Sequence, residues 1–123
     1  MLGVDRGGCI INMSSQMGHV GSPNRSVYCM TKHAVEGLTK ALAVELAPQG
    51  VRVNAVAPTF IPTPMTEGML EDPEFERFVL DMIPLGRVGT VNDVAAAVLY
   101  LASPGANMVT GHSLLVDGGW TAR

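Results

Sequence analysis

The sequence predicts an α/β fold in which parallel strands are joined by helices, and three observations predict it. Cys9 to Met13 is a short apolar run bounded by Gly before and Ser after, as buried strands are, and Val51 to Pro58 reads as a second strand. Between them, Arg25 to Pro48 carries apolar residues at three- and four-residue steps, the spacing of a long amphipathic helix. Strand, long helix and strand make a βαβ crossover, which sets the two strands side by side, parallel, with a right-handed connection.

Met1 to Gly8 ends in Gly7-Gly8 and reads as a helix tail or loop leading into the first strand. Ser14 to Asn24 contains Gly18, Gly21 and Pro23, so it is expected to be a loop. Ser15 then sits just past the carboxyl end of a strand, where open α/β sheets bind ligands. In the long helix, Val35, Leu38, Ala41, Leu42 and Leu46 are the expected core face, with Lys32, Glu36, Thr39 and Lys40 largely elsewhere. Asn24 is the expected N-cap and Gly50 the C-terminal stop.

The second strand delivers Thr59-Phe60-Ile61-Pro62-Thr63-Pro64-Met65 to the same sheet edge, so this segment should lie beside Ser15. Two loops converging on one edge make a binding crevice. Asp72-Pro73 reads as N-cap and first residue of another helix, with Phe75, Phe78, Val79 and Met82 as its apolar stripe. Such a helix either covers the crevice as a lid or simply covers core. Thr90 and Asp93 resemble a capping box for a further helix. Its buried face is expected at Val94, Val98, Leu101 and at Ala95, Leu99, Ala102, and Ser103-Pro104-Gly105 ends it. Ser113 to Val116 is the third strand. No internal repeat or linker interrupts the 123 residues, which read as one domain or part of one.

Composition narrows the function classes. Hydrophobic residues make up 47% and charged residues 15%, which suits a packed globular chain rather than a disordered one. A net charge of −3 without a basic block invites neither nucleic acid nor an anionic membrane. No apolar run reaches the ~18 residues of a membrane helix, and Met1 to Arg6 is no signal peptide, so the cytoplasm is the default compartment. Cys9 and Cys29 are expected to be buried free thiols. His19, His33 and His112 lack metal-ligand spacing and read as loop or surface residues.

The chemistry concentrates at Ser15, Tyr28 and Lys32. Tyr28 and Lys32 are four apart, which on a helix puts them one turn apart on one face. A cation beside a phenol stabilises the phenolate and lowers its pKa from ~10, towards proton exchange near neutral pH. Ser15, thirteen positions earlier, is placed to hydrogen-bond the oxygen that Tyr28 protonates. Singly, each has a plain structural alternative: a loop-capping serine, a core tyrosine, a solvated lysine.

Ser15, the Tyr28-x-x-x-Lys32 pair and their separation resemble the catalytic core of the short-chain dehydrogenase/reductase family. Val56-Ala57-Pro58 through Thr63, Pro84-Leu85-Gly86-Arg87, Thr110-Gly111 and Val116-Asp117-Gly118-Gly119 resemble its later signatures, the last ones being structural. The resemblance implies the C-terminal half of a Rossmann-like, doubly wound parallel sheet of about three strands, a single partial domain over 1–123. It implies reversible hydride transfer between NAD or NADP and a small alcohol or carbonyl substrate. Tyr28 would be the general acid/base. Lys32 would hold the cofactor's ribose hydroxyls and Ser15 would steady the substrate oxygen. The backbone of Ile61 and the side chain of Thr63 would contact the carboxamide and a nearby phosphate, with Pro58 shaping the turn. Thr59 stands where many relatives have glycine. A dimer or tetramer is implied for the full-length form.

No Gly-x-x-x-Gly-x-Gly-like segment precedes Ser15, and the strands that hold the adenosine half of the cofactor are missing from the pattern. Nor is Asn12, inside the first strand, equated with the asparagine that commonly completes the catalytic group. An isolated 123-residue product is therefore expected to be poorly soluble or self-associated and to bind NAD(P) weakly or not at all. The competing expectation is a non-catalytic association module that docks on full-length relatives. A serine hydrolase is disfavoured, because Ser14-Ser15-Gln16-Met17-Gly18 is no nucleophile elbow. The substrate stays open; Met65, Met69 and Phe75 suggest a partly apolar pocket.

Overall fold

The computed structural model describes residues 7–64 and 66–122. The expectation for Met1 to Arg6 therefore lies outside the described residues, as does Met65. Strand β1 (Gly8–Met13) leads to helix α1 (Ser26–Leu46), then β2 (Val51–Pro58), α2 (Glu67–Leu70), α3 (Pro73–Met82), α4 (Val91–Ala102) and β3 (Ser113–Val116). The strands form one parallel sheet in the order β1-β2-β3. Gly8 pairs with Val51 and Met13 with Val56, while Ala55 pairs with Ser113 and Pro58 with Val116.

β2 is central, and its sequence shows it: Val51 and Val53 through Ala57 are all buried, as a strand covered on both faces requires. Its side chains alternate between two cores. Val51 and Val53 pack with Ala43 of α1, beside Ile10, Leu42 and Leu46. Val56 packs on the other face with Ala97 and Leu101 of α4, beside Ile11, Val94, Val98 and Leu114. Helices thus cover both faces of the sheet. Burying a valine completely contributes about 1.5–3 kcal/mol, so Val53 and Val56, both at 0% exposure, anchor the two layers. Asn54 is also fully buried, yet it is satisfied: its Nδ2 donates to the Val109 carbonyl at 2.8 Å, and its Oδ1 accepts from the His112 N–H at 3.0 Å.

The strand and turn chemistry follows the expectations closely. Gly50 stops the segment after α1 with φ 75°, a left-handed conformation that glycine adopts without strain. Asp72 caps α3, accepting from the Glu74 N–H at 3.0 Å with Pro73 as first helical residue. Thr90 and Asp93 form a reciprocal capping box on α4.

Four expectations need correction. The N-cap of α1 is Arg25, not Asn24; Asn24 has φ 62°, so it turns the chain into the helix and cannot take the extended conformation of a cap. The core face of α1 is misassigned in part: Leu42 and Leu46 pack against the sheet as expected, but two other positions do not. Glu36, Thr39 and Ala43 are buried, whereas Leu38 is half exposed and Ala41 is exposed. On α4 the row Val94, Val98, Leu101 faces the core with Ala97, but Ala95, Leu99 and Ala102 are exposed. One residue's step rotates a helix by roughly 100°, which carries that second row off the sheet. Finally, Cys9 and Cys29 are free thiols but only partly buried, because β1 is an edge strand and Cys29 sits in the first turns of α1.

Candidate functional site

The carboxyl ends of β1 and β2 set the site. Immediately after β1, Ser14 donates its N–H to the Val56 carbonyl at 2.8 Å, which extends the strand pairing and fixes where Ser15 emerges. Ser15 is extended and only 7% exposed, and its Oγ accepts the Met17 N–H at 3.1 Å, capping a single 3₁₀ turn, Gln16–Gly18. Capping uses one lone pair of the hydroxyl and leaves its proton to be donated elsewhere. The plain reading of Ser15 as a loop cap and the functional reading are thus compatible.

Tyr28 is the third residue of α1 and is 46% exposed. One turn on, the Lys32 ammonium lies 5.6 Å from the centre of its ring, within cation–π range. Lys32 Nζ also donates to the Met13 carbonyl at 3.2 Å, which pins it to the end of β1. Glu36, a further turn along, is buried at 8% exposure and accepts from Ser113 Oγ at 2.9 Å, with His19 Nε2 3.3 Å away. His19 Nε2 is also 2.9 Å from Ser113 Oγ. Residues 28, 32 and 36 share one helix face. Their contacts tie that face to the turn after β1 and to β3.

A cleft of about 380 Å³ opens beside these groups. Ser15, Tyr28, Pro58, Ile61 and Thr63, five of the six residues singled out from the sequence, line it. Lys32, the sixth, does not line it; its ammonium stands over the Tyr28 ring. Thr59 and Phe60 belong to the segment expected beside Ser15; the rest of the wall was missed: Met17, Arg25, Thr66 and, flagged only as apolar, Met69. Phe75 lines no wall but packs edge-on to Phe60 with ring centres 5.5 Å apart, and Met65 lies outside the described residues. Thr66 organises the loop. Its Oγ1 accepts the Thr63 N–H at 2.9 Å, lies 3.2 Å from Thr63 Oγ1, and donates to the Ile61 carbonyl. The Thr-x-x-Thr spacing of 63 and 66 was the available signal, since a threonine hydroxyl often bonds backbone close by.

Four rings, one of them from this loop, pack together beside it. Phe60, Phe75, Phe78 and Trp120 make a closed circuit with centres 5.5 to 6.3 Å apart, tying the loop after β2 to α3 and to the turn after β3. Two other depressions, of about 460 and 640 Å³, hold neither Ser15 nor Tyr28. The later glycine signatures are structural. Asp117 accepts from the Gly119 N–H and from both the N–H and hydroxyl of Thr121, while Thr110 Oγ1 accepts the Val53 N–H at 3.0 Å. Burial pushes the Asp117 carboxyl up, but the Thr121 and Gly119 hydrogen bonds outweigh it and hold the group below the usual carboxylate range. Among the described residues no group of three or more His, Cys, Asp or Glu could hold a metal ion, and no helix is long and apolar enough to cross a membrane.

Comparison with known proteins adds identity to this geometry. Residues 3–121 match the family described as Enoyl-(Acyl carrier protein) reductase. L-xylulose reductase of Bos taurus is 48% identical over 115 residues, which cover 94% of this chain and 47% of that protein. A solved gluconate 5-dehydrogenase of Burkholderia cenocepacia, in complex with NADP and tartrate, superposes with a TM-score of 0.91 at 34% identity, over 94% of this chain and 46% of that one. A 4-hydroxyisoleucine dehydrogenase complexed with NADH does so with 0.91 at 36% identity, over 94% and 48%. The chain spans about half the length of the curated relatives it matches. A three-stranded parallel sheet helical on both faces, a Ser–Tyr–Lys edge and near-complete coverage by these relatives converge: the chain belongs to the short-chain dehydrogenase/reductase family.

Proposed function

We propose that the chain carries the catalytic half of an NAD(P)-dependent oxidoreductase that interconverts an alcohol and a carbonyl. The observation that carries this is that Ser15 and Tyr28, from two different elements, line one cleft while the Lys32 ammonium stands over the Tyr28 ring. The wall has unspent polar groups for a nicotinamide cofactor. Thr59 Oγ1 is buried without a hydrogen-bond partner, and the Ile61 N–H makes no hydrogen bond among the described residues. Lys32 has three donors and commits one to Met13. The bound nicotinamide supplies the hydride acceptor or donor.

The chain's own residues do the rest. Tyr28 hands its phenolic proton to the substrate oxygen in reduction and takes it back in oxidation. Lys32 offsets the negative charge that develops on the phenol oxygen. Ser15 donates its free proton to the substrate oxygen and holds it in line. Ile61 and Thr63 hold the carboxamide side of the cofactor, in a loop that Thr66 keeps in shape and Pro58 starts. The test is NAD(P)H absorbance with a panel of secondary alcohols, on the protein with its natural termini. Tyr28→Phe should lower kcat by ~10²–10⁴-fold, and Ser15→Ala should lower it with the fold intact. Full activity in Tyr28→Phe refutes the assignment.

One observation favours a second reading, association. Val27, Met30, Ala34, Leu38, Ala41 and Val44 recur along α1 and are all exposed, Val44 at 77%. This apolar stripe is opposite the face that meets the sheet, and stripes of this kind mark contact surfaces. A dimer or tetramer would cover it. Leu38→Glu should lower the sedimenting mass at micromolar concentration if it does; an unchanged mass rejects this reading.

A further inference from the structure

The charge balance of the cleft narrows the substrate. Among the described residues that line its wall, Arg25 is the one charged side chain and none is a carboxylate. Arg25 Nη2 lies 4.0 Å from Met69 Sδ, a weak acceptor, and the guanidinium makes no ion pair among the described residues. Arg87, by contrast, is paired with Asp93 at 3.3 Å. Among the described residues this partly buried guanidinium, with five donors, meets one thioether, which leaves donors for a ligand.

We propose that Arg25 pairs with an anionic group on the substrate, carboxylate or phosphate, making the substrate a short hydroxy or oxo acid or a phosphate ester of similar length. The inference rests on the cleft being the substrate site. The planar fork of a guanidinium matches the two oxygens of either group. Arg25 precedes Tyr28 by three residues, and its carbonyl accepts the Cys29 N–H at 2.8 Å, so its backbone is fixed to the turn that presents Tyr28. An anion held by Arg25 and a carbon–oxygen bond presented to Tyr28 therefore belong within one small molecule. Met69, across the cleft on α2, provides an apolar wall for the carbons between them.

The test compares matched pairs: 3-hydroxybutanoate with butane-1,3-diol, and glycerol 3-phosphate with glycerol. Binding is measured by calorimetry on the protein with its natural termini, with and without NADP, and turnover is followed alongside. At least one anion should bind tenfold or more tightly than its neutral partner, and which one identifies carboxylate or phosphate. Arg25→Ala and Arg25→Gln should abolish the preference at unchanged circular dichroism, and Arg25→Lys should keep part of it. Equal binding of acid and alcohol in both pairs overturns the proposal, as does a preference that survives in Arg25→Ala. Arg25→Ala weakening NADP alone also overturns it, by assigning the cation to the cofactor. Tyr28→Phe should keep the anion preference while losing turnover. Anion binding without turnover of any compound would sink the oxidoreductase assignment and leave the anion site standing.

Discussion

Replacing Gly18 by alanine tests how tightly the turn bearing Ser15 is pressed on the helix bearing Tyr28. A Cβ at Gly18 would lie 2.8 Å from Ser14 Oγ, 2.9 Å from Glu36 Cγ and 3.0 Å from the Lys32 carbonyl. Comfortable carbon contacts begin near ~3.5 Å, so each approach is short by about half an ångström. None of the three neighbours yields easily. Ser14 is buried, Glu36 is held by Ser113 and His19, and the Lys32 carbonyl is helix backbone. The 3₁₀ turn must therefore move away from α1. Overpacking of this kind costs about 1–3 kcal/mol, from which the reduced freedom of the unfolded chain returns about 0.4–1. A net loss of roughly 1–2 kcal/mol is expected.

Gly37→Ala is the control on the same helix. No atom lies within 4 Å of its added Cβ, and the glycine is exposed in the helix interior, so a gain of about 1 kcal/mol is expected. Urea unfolding followed by circular dichroism reads both variants against the parent, and the signs should be opposite. Because Ser15 caps the displaced turn, Gly18→Ala should also lower kcat, where a misplacement near 1 Å costs about 10²-fold. A Gly18→Ala midpoint equal to or above the parent's would refute the packing argument, and so would equal destabilisation of both variants.

Two further perturbations follow from the same geometry. Trp120→Ala removes ring contacts to Phe60 and Phe78 and should cost about 1–3 kcal/mol, counting two aromatic pairs at about 0.5–1.5 each; since Trp120 is the sole tryptophan, its emission should also shift when a ligand meets Phe60 in the cleft, and a ligand that binds without moving it contradicts the coupling. Asp117→Asn removes a carboxyl held below its unfolded value of ~3.9. Such a group contributes stability above that value and loses it as pH falls through the lower folded value, so parent and variant should differ at pH 7 and converge in strong acid. A difference independent of pH, measured by thermal melts, would place the effect elsewhere.

What was legible in the sequence was what is decided locally. β2 could be bounded because its Val and Ala residues run between Gly50 and the Pro58 turn, and Asp72 and Thr90 declared themselves because a cap bonds its own next few N–H groups. The edge with Ser15 and Tyr28 was legible through spacing. Arg25 was not, because its neighbour Met69 is 44 residues away, whereas Thr66 left a local trace in its spacing from Thr63. The face of α1 misled for a related reason. The helix is apolar on the outside as well as against the sheet, while two of its buried positions, Glu36 and Thr39, are polar.

Those two polar residues explain how the site is aligned. Burying them is unfavourable unless each finds its partner, and the partners are remote in sequence: Ser113 and His19 for Glu36, and Asn12 Nδ2, which donates to Thr39 Oγ1 at 3.1 Å. An apolar stripe alone would let α1 slide or rotate on the sheet with little penalty. A shift of even one residue would leave the Glu36 carboxylate unpaired and take from Asn12 Nδ2 its Thr39 acceptor, while Thr39 keeps its own bond to the Val35 carbonyl at 2.8 Å; those two losses favour a single register. Lys32 adds a third fixed point at the Met13 carbonyl. Residues 32, 36 and 39 are held to β1, β3 and the turn between β1 and α1, and this sets the helix register that brings Tyr28 to the end of β1, where Ser15 emerges.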